Sequence, residues 1–258
     1  MTNHQFTDHP SAPDIESSTK DYATRFIGEV GEWFVDVQCQ GTKALLRKAG
    51  LISKGLKVLD VGGGHGQNIK LMKALAHELT IVGSDVSCKA LFADAVSKNE
   101  LKFIESKLTA LPFENKEFDI VLCYRIMAHI DDWELLTREL SRVAKSLVII
   151  EYTSASSVNA FAELLFTLKK KVEKNTRFYR LHRTKEVLQA FTHANMLPVA
   201  KFSQYFFPMA IHRALKSKGV SKLIETLAKC VGLTHFFGSP VLYAFKPNSS
   251  EALPKSNS

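Results

Sequence analysis

The sequence predicts an α/β fold: a doubly wound, mostly parallel seven-stranded sheet with helices on both faces, an antiparallel C-terminal edge and a helical lid insertion. Three observations predict it. Short apolar runs and amphipathic stretches alternate five times between residues 57 and 152. Strands that are apolar throughout belong to parallel sheets covered on both faces, and right-handed crossovers wind such a sheet doubly. Finally, two late apolar runs break the strand–helix rhythm, which suits an antiparallel edge.

The elements follow in order. Met1–Ser18 is polar, with Pro10 and Pro13, and cannot bury a core, so it reads as a disordered tail. Residues 247–258 read the same way. Between them, residues 19–246 read as a single domain. Tyr22–Leu51 predicts one or two helices, because Phe26, Val30, Trp33, Phe34 and Val37 recur at spacings of three and four. Lys57–Val61 is a strand that runs into glycines. Gln67–Leu79 carries Ile69, Met72, Leu75, Ala76 and Leu79 on one helical face, and Leu79–Gly83 is the next strand. Ser87–Lys98 is helical, Leu101–Ile104 a short strand and Phe118–Tyr124 a strong one. Asp131 is placed to cap the following helix, with Glu134 as its capping-box partner. Leu147–Tyr152 is a buried strand. Ser157–Arg183 is a basic helical insertion, and Thr184–Asn195 is a helix. Pro198–Phe207 and Val241–Lys246 are the late strands, separated by a helical stretch over Met209–Val231.

Composition narrows the function classes. Of 258 residues, 45% are hydrophobic and 23% charged, the balance of a globular protein. Cys39, Cys88, Cys123 and Cys230 lie too far apart for a short-spaced metal or redox motif, so no metal site is expected. The first residues show neither a basic n-region nor an apolar h-region, and no apolar run reaches the ~18 residues of a membrane span. The expectation is a reduced, cytoplasmic protein. The net charge of +8 permits an acidic partner without requiring one.

The chemistry concentrates in Leu59-Asp60-Val61-Gly62-Gly63-Gly64-His65-Gly66, between a strand and a helix. Glycine turns tightly and admits a ligand close to the backbone. The dinucleotide pattern G-x-G-x-x-G would put its third glycine at Gln67, and the G-K-[ST] ending of a phosphate loop is absent. The spacing that fits is acid-x-G-x-G-x-G: Asp60, Gly62, Gly64, Gly66.

This segment resembles motif I of the class I S-adenosylmethionine-dependent methyltransferases, which are Rossmann-like. Three further marks strengthen the resemblance: Asp85 ending the second strand, Leu111-Pro112-Phe113 before Phe118-Asp119-Ile120-Val121, and His129-Ile130-Asp131 after the fourth strand. These are similar to the subset that includes the quinone-biosynthesis enzymes. The resemblance covers residues 57–152 and implies S-adenosyl-L-methionine as cofactor. It implies that Asp60 and the backbone of Gly62, Gly63, Gly64 and Gly66 hold the methionyl part and that Asp85 binds the ribose. Val86 and Leu108 would flank the adenine, with Tyr124 also on the cofactor's side. One departure stands out. That subset often has an acid just before Leu108, whereas here Lys107 has no acceptor: either the match slips by a residue and Glu105 or Thr109 compensates, or adenine recognition is looser.

On the acceptor side, His129 is the candidate general base, because a histidine titrates near working pH. The plainer alternative is a packed helix-entry residue. Arg125, Glu151 and Tyr152, at the ends of strands four and five, are candidate pocket residues, and Arg125 could clamp an anionic acceptor. In the insertion, Phe161, Leu164, Leu165 and Leu168 run into Lys169, Lys170 and Lys171. This is either a packed helix with a solvated end or an amphipathic lid that meets an anionic head group or a membrane surface. The expected function is methyl transfer to a small-molecule acceptor, hydrophobic or anionic, at oxygen or carbon. An RNA methyltransferase and a non-catalytic cofactor-binding module are the alternatives.

Overall fold

The computed structural model describes residues 26–51, 55–63, 66, 68–73, 76–83, 92–158 and 180–248. The polar N-terminal tail, residues 249–258, Gly64, His65, Asp85, Val86 and most of the 157–183 insertion lie outside them. The described elements, in chain order, are α1 (Gly28–Ala49), β1 (Leu56–Val61), α2 (Ile69–Lys73), β2 (Ala76–Gly83), α3 (Ala93–Ser97), β3 (Lys102–Glu105), β4 (Phe118–Cys123), a 3-10 turn (Met127–His129), α4 (Trp133–Val143), β5 (Ala144–Tyr152), α5 (Thr184–His193), β6 (Met196–Ser203), α6 (Met209–Leu215), α7 (Lys218–Cys230), α8 (Leu233–Phe237) and β7 (Val241–Pro247).

The strands form one sheet in the order β3-β2-β1-β4-β5-β7-β6. The first five are parallel, while β7 runs antiparallel to both β5 and β6. The predicted antiparallel edge is therefore present. The order reverses between β1 and β4, where Val61 pairs with Cys123. In such sheets this switch point is where the crevice opens, beyond the carboxyl ends of the strands.

Side-chain alternation along the strands divides the core in two. Val148, Ile150 and Tyr152 of β5 pack with Leu136 and Leu140 of α4 and Phe191 of α5. Leu147 and Ile149 face the other way, with Leu45 and Leu46 of α1. Helix α1 lies across that second face. Its Gly41 approaches β6 and β7 so closely that a Cβ there would be 2.5 Å from Phe202 Cδ1 and 2.8 Å from Leu242 Cδ1. The helix ends at Gly50, whose φ of +73° closes the last turn through a bond from its N–H to Arg47 O.

Several boundaries differ from expectation. The helical pattern over Gln67–Leu79 yields only α2, and β2 begins at Ala76. Its residues pair with β1 from Leu56↔Ala76 onward, and the ladder's hydrogen bonds outweigh a local pattern that Leu79 serves in either form. Helix α4 begins at Trp133 with Asp132 as N-cap and no side-chain capping bond, so Asp131 does not cap it. Strand β6 ends at Ser203, where its pairing with Val241 runs out. The Met209–Val231 stretch breaks after Leu215: Lys216 is left-handed, and Ser217 starts α7 by accepting from Val220 N at 3.4 Å. The described residues of the 157–183 insertion, 157–158 and 180–183, are not helical, and a bridge joins His182 to Ser154.

Candidate functional site

The glycine turn lies directly beyond β1. Gly62 has φ +69° and donates its N–H to Val82 O at 2.8 Å, and Gly66 has φ +71°. A Cβ on Gly62 would collide with the Ile126 side chain, and one on Gly63 would be 2.7 Å from Ile81 Cγ2. The turn thus needs glycine for both conformation and space. Leu108 is fully buried and reaches toward Gly62, whereas Lys107 is exposed. Ser106, just beyond β3, donates its N–H to Gly83 O at 2.9 Å.

Asp60 is buried beneath this turn. Burial pushes its pKa from 3.8 up to about 7, only partly offset by a hydrogen bond from Asn68 and by the Arg125 charge. Asn68 Nδ2 is 3.4 Å from Asp60 Oδ2. A desolvated carboxylate beside a backbone cradle suits a ligand that brings a positive charge.

Across the switch point the site is made of side chains. Tyr124 follows β4, and its hydroxyl lies 2.9 Å from Thr42 Oγ1 of α1. Thr42 donates its own proton to Gln38 O at 2.9 Å, so Tyr124 O–H is the donor to Thr42. Burial holds the Tyr124 phenol well above its usual pKa, which keeps it a neutral donor. Glu151, near the end of β5, is buried, and its pKa is raised chiefly by burial. Its oxygens accept from Gln38 Nε2 at 2.6 Å and Gln204 Nε2 at 2.8 Å. Arg125 Nε stands 3.7 Å from Glu151 Oε2, and its Nη2 donates to Gln38 Oε1 at 3.3 Å. The guanidinium also lies 4.1 Å from the centre of the Phe26 ring. Arg125 has φ +63°, a strained conformation for an arginine, and such strain concentrates at functional sites.

The other candidates are placed differently. Tyr152 projects from the opposite face to Glu151, and its hydroxyl lies 2.9 Å from Thr184 Oγ1. His129 ends the 3-10 turn, half-buried, with its N–H on Ile126 O at 2.9 Å. That turn is braced by the returning chain: Arg180 N donates to Ala128 O at 2.8 Å, and His182 Nε2 lies 3.0 Å from Met127 O. The Leu111-Pro112-Phe113 turn is clamped to α4, since Arg142 donates to Leu111 O and Phe113 O and Glu139 accepts from Leu111 N. Asp119 serves the opposite, amino end of the sheet, where it accepts from Lys57 N at 3.0 Å.

Sequence reasoning missed Gln38, Thr42 and Gln204. The first two carry a signal: they are polar residues four apart inside the buried stripe of α1, between Val37 and Leu45. Gln204 has none, because the turn after β6 brings it in. Among the described residues, no cluster of His, Cys, Asp and Glu is placed to hold a metal ion. No described helix is long and apolar enough to cross a membrane.

A parallel sheet with an antiparallel β7 and a glycine turn at the switch point has the class I methyltransferase fold. Residues 59–150 match the family described as "Methyltransferase domain". It is similar to the demethylmenaquinone methyltransferase of Staphylococcus aureus (strain MRSA252), with 29% identity over 119 residues, 44% of this chain and 49% of the relative. The chain thus spans about half the length of that curated relative. Among solved structures it is similar to magnesium protoporphyrin IX methyltransferase from Synechocystis PCC 6803 with bound SAH. The TM-score is 0.60 at 13% identity, covering 93% of this chain and 100% of the other. A [4+2]-cyclase has TM-score 0.55 at 16% identity, covering 80% and 79%. At these identities the structural likeness is one of fold.

Proposed function

We propose that the protein transfers a methyl group from S-adenosyl-L-methionine to a small-molecule acceptor, at oxygen or carbon. The observation that carries this is the glycine turn over buried Asp60 at the sheet's switch point, inside the matched domain. We read residues 19–246 as one domain with the cofactor core at 57–152. The backbone of Gly62–Gly66 and the Asp60 carboxylate bind the methionyl part, the carboxylate facing its ammonium. Asp85 accepts from the ribose hydroxyls. Val86 and Leu108 enclose the adenine, and Lys107 leaves its amino group to another acceptor. The sulfonium supplies an already activated methyl group, so orientation and exclusion of water do most of the remaining work.

Arg125, held by Glu151 and Gln38, shapes the acceptor side together with Tyr124. Tyr152 supports it from the opposite face of the sheet. His129 takes the proton when the acceptor is a weakly acidic group. An apolar acceptor is supported by the likeness to the demethylmenaquinone enzyme and by the matched fold of the protoporphyrin enzyme. The cyclase with the same fold makes a reaction other than methyl transfer the second reading.

Incubating the protein with methyl-labelled cofactor and a cell extract, then fractionating, tests this directly. Label in the lipid or small-molecule pool is expected. Label only in RNA, or in no pool, overturns the acceptor class or the activity respectively. Asp85→Ala should weaken S-adenosylhomocysteine binding by about 2–4 kcal/mol, the scale for losing charge-assisted hydrogen bonds, with Asp85→Glu losing less. Unchanged affinity in a folded Asp85→Ala protein would place the ribose elsewhere.

A further inference from the structure

Helices α6, α7 and α8 lie between β6 and β7 in the chain and take no part in the site. On α7 the usual arrangement is inverted. Ser221, Glu225 and Ala228 face the protein. Val220, Leu223 and Leu227 face outward at spacings of three and four, with Val231 four residues further on. Leu223, Leu227 and Val231 are 60%, 59% and 72% exposed. Phe236 of α8 is 69% exposed, and its ring lies over Gly232, next to Val231. An apolar row on the outer face of a surface helix signals a partner.

The charge pattern indicates which kind of partner. Residues 209–238 contain Arg213, Lys216, Lys218, Lys222 and Lys229 against a single acid, Glu225. Glu225 is buried: it accepts from Phe206 N and Phe207 N at 2.9 Å and lies 3.0 Å from His212 Nε2. No carboxylate of this segment therefore reaches its surface. Lys222 and Lys229 lie seven residues apart on the flank of α7 away from the apolar row. Lys229 also lines, with Lys201 and His235, a hollow of about 220 Å³ between β6, α7 and α8. A second copy docked through the apolar row would set two net-positive α6–α8 segments side by side, which disfavours it.

We propose that the α6–α8 cap is a docking surface for an anionic lipid bilayer. The Leu223–Leu227–Val231–Phe236 row enters the interface, and the basic residues of the segment, within a Debye length of the surface, are attracted to its anionic head groups. Binding of this kind combines buried apolar area with attraction to anionic lipid. It does not depend on the methyl-transfer reading, and its test has no catalytic readout.

The test is flotation of the full chain with vesicles of phosphatidylglycerol and phosphatidylcholine, and with phosphatidylcholine alone. Binding to the first and at least about tenfold weaker binding to the second is expected. Leu223→Glu/Leu227→Glu should lower partitioning at least about tenfold with the thermal midpoint unchanged, since both side chains are exposed. Lys222→Glu/Lys229→Glu should lower it about tenfold at low salt and much less at high salt, where surface charges are screened. The proposal is overturned if the wild type ignores anionic vesicles. It is also overturned if binding survives Leu223→Glu/Leu227→Glu while replacing Lys169, Lys170 and Lys171 with Ala abolishes it. A wild-type dimer in sedimentation velocity that Leu223→Glu/Leu227→Glu dissociates would instead make the surface an interface between copies.

Discussion

On either side of the switch point, the carboxyl ends of the strands build their surfaces from different materials. Beyond β1 the contacts are backbone: Gly62 N on Val82 O, left-handed glycines and close approaches that exclude any Cβ. Beyond β4 and β5 they are side chains drawn from distant elements, with Gln38 of α1 and Gln204 after β6 converging on Glu151. The first kind of surface tolerates little variation, because its shape is the main chain's own. The second can change with its side chains while the sheet stays the same. In the proposed function the methyl donor lies on the first and the acceptor on the second. Asp60 links the two, as it lies under the glycine turn and feels the Arg125 charge.

The largest effect expected from breaking this contrast is at Glu151. Glu151→Ala removes the acceptor for two buried amides and leaves Arg125 without its carboxylate. Removing one partner of a buried charged network costs about 3–5 kcal/mol. Urea unfolding should show that loss, with Glu151→Gln clearly milder. A loss under about 1 kcal/mol would mean that the network adds little to stability. The affinity for S-adenosylhomocysteine should fall much less than the stability, because the glycine turn does not touch Glu151.

The same contrast explains what was legible in the sequence. Asp60, Gly62 and Gly66 lie within seven residues, so spacing alone exposed the turn. The central strands β1, β4 and β5 were legible because each contains a buried apolar run. The Gln38–Glu151 bond joins residues 113 apart, and only the folded α1 brings them together. Gln38 and Thr42 were visible merely as polar interruptions of an apolar stripe. Similarly, Glu151 and Tyr152 are neighbours in sequence, but strand alternation sends them to opposite faces. The early start of β2 depended on pairing with β1, which the local pattern does not contain.

A middle-sized effect should separate the two surfaces by pH. The folded state holds a proton on Asp60 up to about pH 7, whereas its ordinary value is 3.8. Between these values the folded protein binds more protons than the unfolded one. The Asp60 contribution to stability is therefore present in full at low pH, declines as pH rises from about 4 to about 7, and is lost above that. Asp60→Asn should flatten this dependence and recover stability at pH 8 without ligand, as read from unfolding midpoints at pH 5 and pH 8. S-adenosylhomocysteine binding should show the converse. Its ammonium prefers ionised Asp60, so wild-type affinity should weaken below pH 7 while the Asn variant stays flat. Parallel pH profiles for the two proteins would remove Asp60 from the cofactor's surroundings.

The smallest effect tests whether α1 is joined to the sheet by a specific bond or only by packing. Thr42 spends its one proton on Gln38 O, so the Tyr124 hydroxyl must donate to Thr42 Oγ1. Tyr124→Phe removes that donor but leaves the ring and the Thr42 bond to Gln38 in place. The expected loss is about 1 kcal/mol, the net value of a neutral buried hydrogen bond. Thr42→Val removes the acceptor and should cost a similar amount or slightly more, since Gln38 O loses the Thr42 hydroxyl as a second donor. If the bond is the shared term, the double variant should cost less than the sum of the singles by about 0.5–1 kcal/mol. Strict additivity would leave packing alone to hold α1 over the acceptor side. That side would then owe its shape to the Glu151 cluster without help from the Tyr124 hydroxyl.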